Sequence, residues 1–261
     1  RTKQLLTIHD LNFLVEKSSK KQEKYLELLK RNIDKATAIN CISEYTASVL
    51  KSNINIDGKP MRIIYCGSKL QEFPEFEPNF PWLQKKYFFS VGIFNDKKNF
   101  EVLIPVMKYF DDHMLVLAGN HQTPYGDKVK GLIDKYQLQD RIVLTGQIRE
   151  EEKYWLYAHT EALLFPSLAE GFGLPVIEAM SQGKPTFLST QTSLPEIGGD
   201  LAYYFESFEE EEMSQLIKEK LNEFYKNEEE LKIKLKSRAA FFSWDNCLNS
   251  YLDYYKEIIS S

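Results

Sequence analysis

Cysteine is scarce in this chain, whose 261 residues include only Cys41, Cys66 and Cys247. The three lie far apart and are odd in number, so they fit neither a disulfide framework nor the ligand spacing of a zinc site. This argues against a small disulfide-stabilised secreted domain. We expect ordinary thiols that pack in a reducing compartment, which favours a cytoplasmic location.

Long apolar runs and an excess of positive charge are also missing. No run reaches the roughly 18 residues that span a bilayer. The formal net charge is −5 at pH 7, so nothing in the overall charge favours nucleic acid, which is not expected as a partner. With 43% hydrophobic and 27% charged residues, the composition is that of a folded globular protein with one large domain or two ordinary ones.

What is present, over most of the chain, is a regular alternation of short apolar segments with amphipathic ones. Strands that alternate with helices in this way predict an α/β fold with a parallel sheet and right-handed crossovers. Such sheets bind ligands at the carboxyl ends of their strands. The predicted strands cover residues 87–91, 114–118, 142–144, 162–165 and 186–188, and the predicted helices between them cover residues 100–110, 128–136, 150–158 and 174–182.

The beginning of the chain is less regular. Residues 71–81 contain three prolines and form the predicted linker. Ser43 is a predicted helix N-cap, and the acidic residues 206–212 predict a solvated loop or helix start rather than a metal site. The strands predicted here cover residues 5–8, 36–39 and 62–66, and the helices residues 18–38 and 43–51.

The most informative segment is residues 164–180, LFPSLAEGFGLPVIEAM. A buried strand ends at Phe165, and Gly171 and Gly173 then let backbone amides approach a ligand closely. Pro175 suits the first turn of the helix that follows. Free N–H groups and the positive end of the helix dipole make such a helix start a site for phosphate. The segment therefore predicts an anion-binding loop between a strand and a helix.

Two glutamates flank this loop. Glu170 directly precedes it, and Glu178 lies within the first two turns of the helix. Carboxylates beside a phosphate site are unfavourable unless they accept hydrogen bonds, and sugar hydroxyls are natural donors. The segment matches neither a Walker loop nor the dinucleotide fingerprint, so a glycine turn with incidental acids would be the plainer interpretation. Two glutamates with seven residues between them, around Gly-Phe-Gly, are more specific and favour a functional site.

The segment resembles the E-x7-E signature of the family-4 retaining glycosyltransferases, which have the GT-B fold of two facing Rossmann-like domains. Six further segments resemble elements of that family in the right order, so the similarity covers nearly the whole chain. They are residues 7–11 (TIHDL), 90–99 (SVGIFNDKKN), 117–120 (LAGN), 143–146 (VLTG), 193–200 (SLPEIGGD) and 242–244 (FSW).

The resemblance implies a division of the chain. Residues 1–68 would be the C-terminal part of an acceptor-side domain, residues 69–85 a linker, residues 86–240 the donor-binding domain, and residues 241–261 a helix that crosses back to the first domain. Because the chain opens on an arginine before a strand, we expect a fragment whose acceptor domain is truncated upstream of His9. Such a chain is expected to bind the donor nucleotide and to transfer no sugar.

The resemblance also implies that Lys98 binds the diphosphate of a sugar nucleotide, a role that suits the point charge of an ammonium group. Gly92 would lie beside it. Many relatives have an arginine directly after this glycine, where this chain has Ile93. The charge would therefore rest on Lys98, and Lys97 would either assist it or lie in solvent at a helix end.

The other implied contacts surround the rest of the donor. Glu170 would hold the sugar hydroxyls and Glu178 the ribose hydroxyls, while His9 would face the sugar across the cleft. His9, Lys98 and Glu170 are thus the expected catalytic residues. The remaining expected contacts are those of Gly171, Phe172, Gly173 and Leu174 with the phosphates and the anomeric region, and those of Gly146 and Ile148 near the base.

The mechanism implied by the resemblance is front-face attack with retention of configuration, in which a donor phosphate oxygen helps to deprotonate the acceptor. It needs no enzymic nucleophile, no cofactor and no metal. The acidic pair beside a histidine, Asp111-Asp112-His113, lacks the D-x-D form of metal-dependent transferases. The expected substrate is a UDP- or GDP-sugar, with GDP-mannose or a UDP-hexose as donor, in a cell-surface polysaccharide or lipopolysaccharide pathway.

The acceptor is expected to be a saccharide or a lipid-linked one. Basic residues between positions 17 and 31 leave open a peripheral contact with anionic lipid at the inner face of the membrane. Acidic residues are interspersed among them, so an ordinary solvated helix face is favoured.

Two other functions stay open on the same architecture. One is a sugar-nucleotide epimerase, and the other is a non-catalytic module that binds the donor nucleotide. Release of free nucleoside diphosphate when an acceptor is added would distinguish a transferase from such a module.

Overall fold

The computed structural model describes residues 2–69, 76–82 and 84–260. Its first unit, residues 2–68, contains a parallel three-stranded sheet with the order β1-β2-β3. The strands are β1 (Leu5–Ile8), β2 (Ala38–Cys41) and β3 (Met61–Ile63), and the helices are α1 (Phe13–Glu16), α2 (Ser19–Lys35) and α3 (Glu44–Asn53).

Helix α3 begins where the sequence predicts it. Ser43 precedes it in an extended conformation, and its hydroxyl accepts a hydrogen bond from Thr46 N at 3.1 Å. This satisfies one of the backbone donors that a helix start leaves unpaired. Ala47 and Leu50 of α3 are buried against the sheet, so the helix and its cap fix the loop that follows β2.

The second unit, residues 76–82 and 84–243, is built on a parallel six-stranded sheet with the order β6-β5-β4-β7-β8-β9. The chain places β5 and β6 on one side of β4 and then crosses to β7 on the other side. Ligands bind at such a reversal, outside the carboxyl ends of the strands. The strands are β4 (Lys86–Val91), β5 (His113–Ala118), β6 (Ile142–Gly146), β7 (Ala162–Phe165), β8 (Thr186–Ser189) and β9 (Tyr203–Phe205).

Both faces of this sheet are covered by helices. Because successive strand residues point to opposite faces, Phe88 packs in one core and Phe89 in the other. The strands are buried on both sides, as expected for a parallel sheet. The helices are α4 (Leu103–Val106), α5 (Pro124–Lys135), α6 (Glu150–His159), α7 (Leu174–Ser181), α8 (Leu194–Gly198), α9 (Glu210–Lys226) and α10 (Glu228–Phe241).

The predicted α/β class is confirmed, but several local predictions were wrong. The helix predicted over residues 100–110 is α4 with a 3-10 turn on either side. Pro105 lies in its middle and has no N–H to donate to the preceding turn. The strand predicted over residues 62–66 ends at Ile63, and β9 was not predicted at all. Of the predicted linker, residues 70–75 and 83 lie outside the described residues.

The last helix, α11 (Trp244–Ser260), packs against the sheet of the first unit. Tyr251 OH accepts a hydrogen bond from Asn40 Nδ2 at 2.8 Å, and Tyr254 OH donates to Ile39 O at 3.2 Å. The helix therefore connects the end of the chain to β2 and holds the two units together.

Candidate functional site

Three strands of the second unit end close together at the reversal point. Gly92 N, after β4, donates to Ala118 O at 2.9 Å, and Gly119 N, after β5, donates to Gly146 O at 2.8 Å. Gly119 has φ of 139°, and a Cβ there would lie 1.9 Å from Gly92 O. Only glycine permits this approach, so the sequence at the strand ends opens a shallow backbone-lined surface.

Lys98 lies across this surface. It follows β4 in a 3-10 turn that ends at Asn99, whose φ of 52° is left-handed. Its Nζ donates to Glu170 Oε1 at 2.6 Å and lies 4.6 Å from the centroid of the Phe165 ring. The side chains of Lys98 and Glu170 are only 11% and 14% exposed. The structure thus joins two of the three predicted catalytic side chains in one ion pair.

Lys97 lies apart from this pair. Its Nζ is 3.1 Å from Glu16 Oε1, with about a third of each side chain exposed. Its carbonyl accepts a hydrogen bond from Leu168 N at 2.7 Å. The side chain therefore connects the second unit to α1, and the backbone of Lys97 holds the loop after β7.

The loop that contains Gly171 and Phe172 is braced from behind by the segment that precedes α8. Glu170 N donates to Thr192 Oγ1 at 3.1 Å, and Ser193 Oγ donates to Phe172 O at 2.8 Å. Thr192 itself has a left-handed φ of 56°. The sequence offered no signal for these two bracing residues beyond their position before Leu-Pro-Glu.

Helix α7 starts directly after this loop. Gly173 is its N-cap, with a left-handed φ of 119°, and Pro175 lies in its first turn. Phe172 is buried, while Leu174 is partly exposed. The first N–H groups of α7 lack partners within the helix, so the backbone of Phe172, Gly173 and Leu174 presents donors and a positive dipole end.

Glu178, one turn further along α7, is held by α6. Lys153 Nζ donates to its Oε1 and Tyr157 OH to its Oε2, both at 2.9 Å. Burial raises the pKa of Glu178 more than these two donors lower it. Burial is the largest single effect on the pKa of Lys153 and lowers it, but Glu178 and Glu150, whose Oε1 lies 3.0 Å from Lys153 Nζ, together raise this pKa above its ordinary value. Sequence reasoning missed both partners, since nothing in α6 indicates which helix it faces.

The predicted base-facing residues lie at the same edge of the sheet. Gly146 ends β6 with a φ of 73°, and its carbonyl accepts the bond from Gly119 described above. Ile148 is half-buried and packs against the core that contains Val176 and Ile177 of α7. Ile148 therefore packs against the same core as α7, whereas Gly146 ends the edge strand β6, which β5 and β4 separate from β7.

The first unit contacts the loop from the opposite side. His9 is exposed at the end of β1, and a Cβ on Gly171 would lie 2.5 Å from His9 O. Ser43 Oγ donates to Gly171 O at 3.0 Å. The Glu196 carboxylate of α8 accepts hydrogen bonds from Glu44 N at 2.7 Å and Tyr45 N at 3.2 Å, at the start of α3.

Two cavities lie between the units next to this loop. One, of about 680 Å³, is lined by Val15 of α1, Asn95 and Leu168 among others. The other, of about 200 Å³, is bounded by Tyr45 of α3 and by Thr192. Both are lined by Leu168 and Ala169, the residues that directly precede Glu170 in the loop after β7.

The acidic pair beside His113 lies away from this site and forms ion pairs. In the ranges that the structure describes, no group of three or more histidine, cysteine or acidic side chains is arranged to hold a metal ion. The predicted Asp111-Asp112-His113 group lies at the opposite, amino end of β5, where Asp111 pairs with Arg141 and Asp112 with His113. Among the same residues, no helix is long and apolar enough to cross a bilayer.

The chain is similar to bacterial O-antigen enzymes. It is 26% identical over 222 residues to the O-antigen chain mannosyltransferase RfbU of Salmonella typhimurium, an alignment that covers 82% of this chain. It is 28% identical to the O-antigen chain mannosyltransferase B of Escherichia coli over 96% of this chain. The chain spans 60% of the length of the first relative and 69% of the second.

Solved structures share its fold. A sucrose-phosphate synthase from Thermosynechococcus elongatus superposes with a TM-score of 0.78 at 23% identity, covering 98% of this chain and 68% of that one. The Anabaena protein HepE, in complex with UDP and glucose, superposes with a TM-score of 0.79 at 15% identity, covering 98% of this chain and 72% of that one. These likenesses confirm the predicted GT-B fold with Rossmann-like units.

The profile of the family described as Glycosyl transferases group 1 matches residues 73–240. That range contains β4 to β9, the Lys98–Glu170 pair, and α7 with Glu178. The predicted family resemblance is therefore confirmed, and the chain belongs to the glycosyl transferases group 1.

Proposed function

We propose that this chain binds the donor for a hexosyltransferase, which moves a sugar from a nucleoside diphosphate to a saccharide or lipid-linked acceptor with retention of configuration. The observation that carries the proposal is the Lys98–Glu170 pair, 2.6 Å long and largely buried at the loop that enters α7. It brings a cation and a hydrogen-bond acceptor side by side at the carboxyl ends of β4 and β7, which supports roles for them at a diphosphate and at sugar hydroxyls.

Different residues of the site would bind different parts of a sugar nucleotide. The ammonium group of Lys98 and the free N–H groups at the start of α7 would hold the diphosphate. Glu170 would accept hydrogen bonds from the sugar, and Glu178, on α7, from the ribose. Gly146 and Ile148 would lie near the base, and His9 would face the sugar from the first unit.

Donor binding requires the Lys98–Glu170 pair to change partners. Lys98 Nζ would exchange a carboxylate oxygen for a phosphate oxygen, and Glu170 would exchange an ammonium group for hydroxyl donors. Both exchanges keep every charged group hydrogen-bonded, which matters because an uncompensated buried charge is costly. The pair would thus be the resting state of a site whose ligand lies between its members.

In the proposed transfer, no side chain of the protein acts as a nucleophile. The bond between the anomeric carbon and the diphosphate oxygen breaks, and its electron pair leaves with the nucleoside diphosphate. The acceptor oxygen forms the new bond on the same face, and its proton passes to a diphosphate oxygen. The residues contribute by stabilising the leaving charge and by orientation, and we propose that no metal or cofactor takes part.

Mannose, from GDP-mannose, is the proposed sugar, supported by the two mannosyltransferase relatives, and a UDP-hexose is the alternative. The two cavities lined by Leu168 and Ala169 would admit the acceptor. A cytoplasmic enzyme of lipopolysaccharide synthesis is proposed on the same ground, with a peripheral contact of the membrane left to the basic residues of α2.

Calorimetry with UDP, GDP and their hexose conjugates tests donor binding. The proposal expects one nucleoside diphosphate and its sugar conjugate to bind to this chain. Failure of the chain to bind any of them would overturn the proposal. Transfer is tested by release of free nucleoside diphosphate when acceptor oligosaccharide is added, in this chain and in any longer form that includes a whole acceptor domain. Binding without transfer in a form with a whole acceptor domain would favour the non-catalytic donor-binding module, and epimerised free donor would favour the epimerase.

A further inference from the structure

The Glu178 carboxylate is held by two donors from one face of α6. Lys153 and Tyr157 are one helical turn apart, so both side chains reach the same neighbour. Each takes a different oxygen, at 2.9 Å in both cases. Helices α6 and α7 pack directly on one another, and the side chains of Lys153 and Glu178 are only 16% and 13% exposed. The carboxylate thus has a fixed orientation before any ligand arrives.

A carboxylate can accept about four hydrogen bonds, whereas a protonated carboxyl group becomes a donor at one oxygen. With two acceptor positions used by α6, the ionised form keeps about two for the neighbouring hydroxyls of a ribose. Protonation would remove this match. What Glu178 can bind therefore depends on which groups keep it ionised.

Few charged or titratable groups face Glu178. On α6 they are Lys153 and Tyr157. The charge of Glu150 has a smaller effect, which raises the pKa of Glu178, and the charge of Glu178 in turn raises the pKa of Tyr154. Helices α8 and α10 also pack against α7, but the part of the chain that the structure describes shows no hydrogen bond from their side chains to this carboxylate. Lys153 is therefore the principal group that favours the ionised form against burial.

We propose that Lys153 is a positioning residue for the donor nucleotide, which together with Tyr157 holds Glu178 ionised and oriented toward the ribose hydroxyls. This inference rests on the proposed role of Glu178 at the ribose. It differs from a purely structural ion pair between two helices, which would affect stability but not the choice between ribose and deoxyribose. Methionine at position 153 leaves Glu178 buried without its ammonium partner, so it should lower stability and also change the protonation of the carboxyl group.

The test compares the affinities of UDP and GDP with those of their 2′-deoxy forms, for wild type, Lys153→Met and Lys153→Arg. Without Lys153 the pKa of Glu178 rises further, so a larger fraction is protonated at a given pH. Ribose preference in Lys153→Met should therefore fall as the pH is lowered and recover as it is raised, by up to about tenfold per pH unit below the pKa. Lys153→Arg, which keeps the charge, should retain most of the preference.

Two further variants keep the test decisive. Lys130→Met removes a lysine from an exposed pair with Asp127 on α5 and should leave the preference unchanged. Tyr157→Phe removes one donor to Glu178 and keeps the ring, so it should cause a smaller shift in the same direction. It serves if Lys153→Met melts too low to be measured. A ribose preference in Lys153→Met or Tyr157→Phe that follows the wild-type pH profile would overturn the inference.

The outcomes separate this inference from the proposed function. If wild type binds neither UDP nor GDP, both fall. If Glu178→Gln keeps full ribose preference, Glu178 has no role at the ribose, and the inference falls while donor binding stands. If Glu178→Gln loses the preference but Lys153→Met keeps it at every pH, Lys153 is structural only and this inference alone is wrong.

Discussion

The segment from Glu170 to Glu178 has a glutamate at each end, and each glutamate forms an ion pair with a lysine. The surroundings of the two pairs differ. Lys98 and Glu170 both belong to loops, one after β4 and one after β7, and the ammonium group rests on the Phe165 ring. Lys153 and Glu178 both belong to helices that pack on each other, and Tyr157 holds the second carboxylate oxygen.

The difference separates a pair that can exchange partners from one that holds its geometry. Loops can shift a side chain at little cost, so the Lys98–Glu170 pair can open around a diphosphate. Packed helices cannot do so without disturbing a core, so the Lys153–Glu178 pair would stay closed while ligand binds to the free side of the carboxylate. The two glutamates of one sequence signature thus belong to two kinds of pair. The Lys98–Glu170 pair, called the mobile half, is expected to open, and the Lys153–Glu178 pair, called the rigid half, is expected to stay closed.

The strongest way to break the mobile pair is Lys98→Met. We expect the affinity for the nucleoside diphosphate to fall by at least about tenfold, the effect of losing one charged donor. In any form of the protein that transfers sugar, we expect transfer to fall by at least about a hundredfold, the usual effect of losing one preorganised donor to developing charge. Donor calorimetry measures the first effect and steady-state kinetics the second. The adjacent Lys97→Met, which breaks an exposed pair with Glu16, should change affinity by less than about fivefold. Equal losses in the two variants would contradict the assignment of Lys98.

Replacing each glutamate in turn by glutamine tests the two pairs separately. Glu178→Gln should weaken free nucleoside diphosphate by about 1.5–3 kcal/mol, since one charged acceptor is lost. Glu170→Gln should leave that affinity nearly unchanged and chiefly reduce transfer, because its partner would be the sugar. Calorimetry with the nucleoside diphosphate alone separates them. Equal affinity in wild type and Glu178→Gln would remove the ribose assignment.

The sequence predicted one of these halves better than the other. The glycine loop and the helix start follow from local residue types, because backbone approach and helix dipoles are properties of short segments. The family resemblance supplied Lys98 and the further segments around the loop. The structure then joined Lys98 to Glu170 in an ion pair, a contact that the sequence did not predict, while the roles of both residues stay predictions.

The rigid half could not be predicted in this way. That Lys153 and Tyr157 meet Glu178 depends on how α6 packs on α7, and no local signal in α6 encodes it. The same holds for Glu196, which lies in a predicted motif but binds the start of α3 in the other unit. Long-range side-chain contacts of this kind require the tertiary structure.

A smaller effect is expected from changing Ser43, through which the first unit contacts the loop that contains Glu170 and Gly171. Ser43 both caps α3 and donates to Gly171 O. Ser43→Ala loses both contacts, whereas Ser43→Gly keeps most of the capping stability, because glycine is tolerated at this position. Both variants should weaken the sugar conjugate relative to the free nucleoside diphosphate by about threefold, the effect of one hydrogen bond. Only Ser43→Ala should also lose about 1 kcal/mol of unfolding free energy in a denaturant titration. An unchanged conjugate affinity in both variants would show that the brace does not influence the Glu170 half.

The smallest expected effect is that of metal removal. A diphosphate leaving group carries negative charge that many transferases neutralise with a cation. In the proposed function, the ammonium group of Lys98 and the start of α7, equivalent to about half a positive charge, would act in place of that cation. Excess EDTA should therefore leave the nucleoside diphosphate affinity within about twofold of its value in magnesium, a difference below about 0.5 kcal/mol. Calorimetry in the two buffers measures this, with Lys98→Met as the comparison. Manganese should not rescue that variant, because the residues described by the structure include no acidic cluster arranged to hold the ion. Affinity or transfer that disappears with chelator and returns with manganese would show that a metal, rather than the mobile lysine, neutralises the diphosphate.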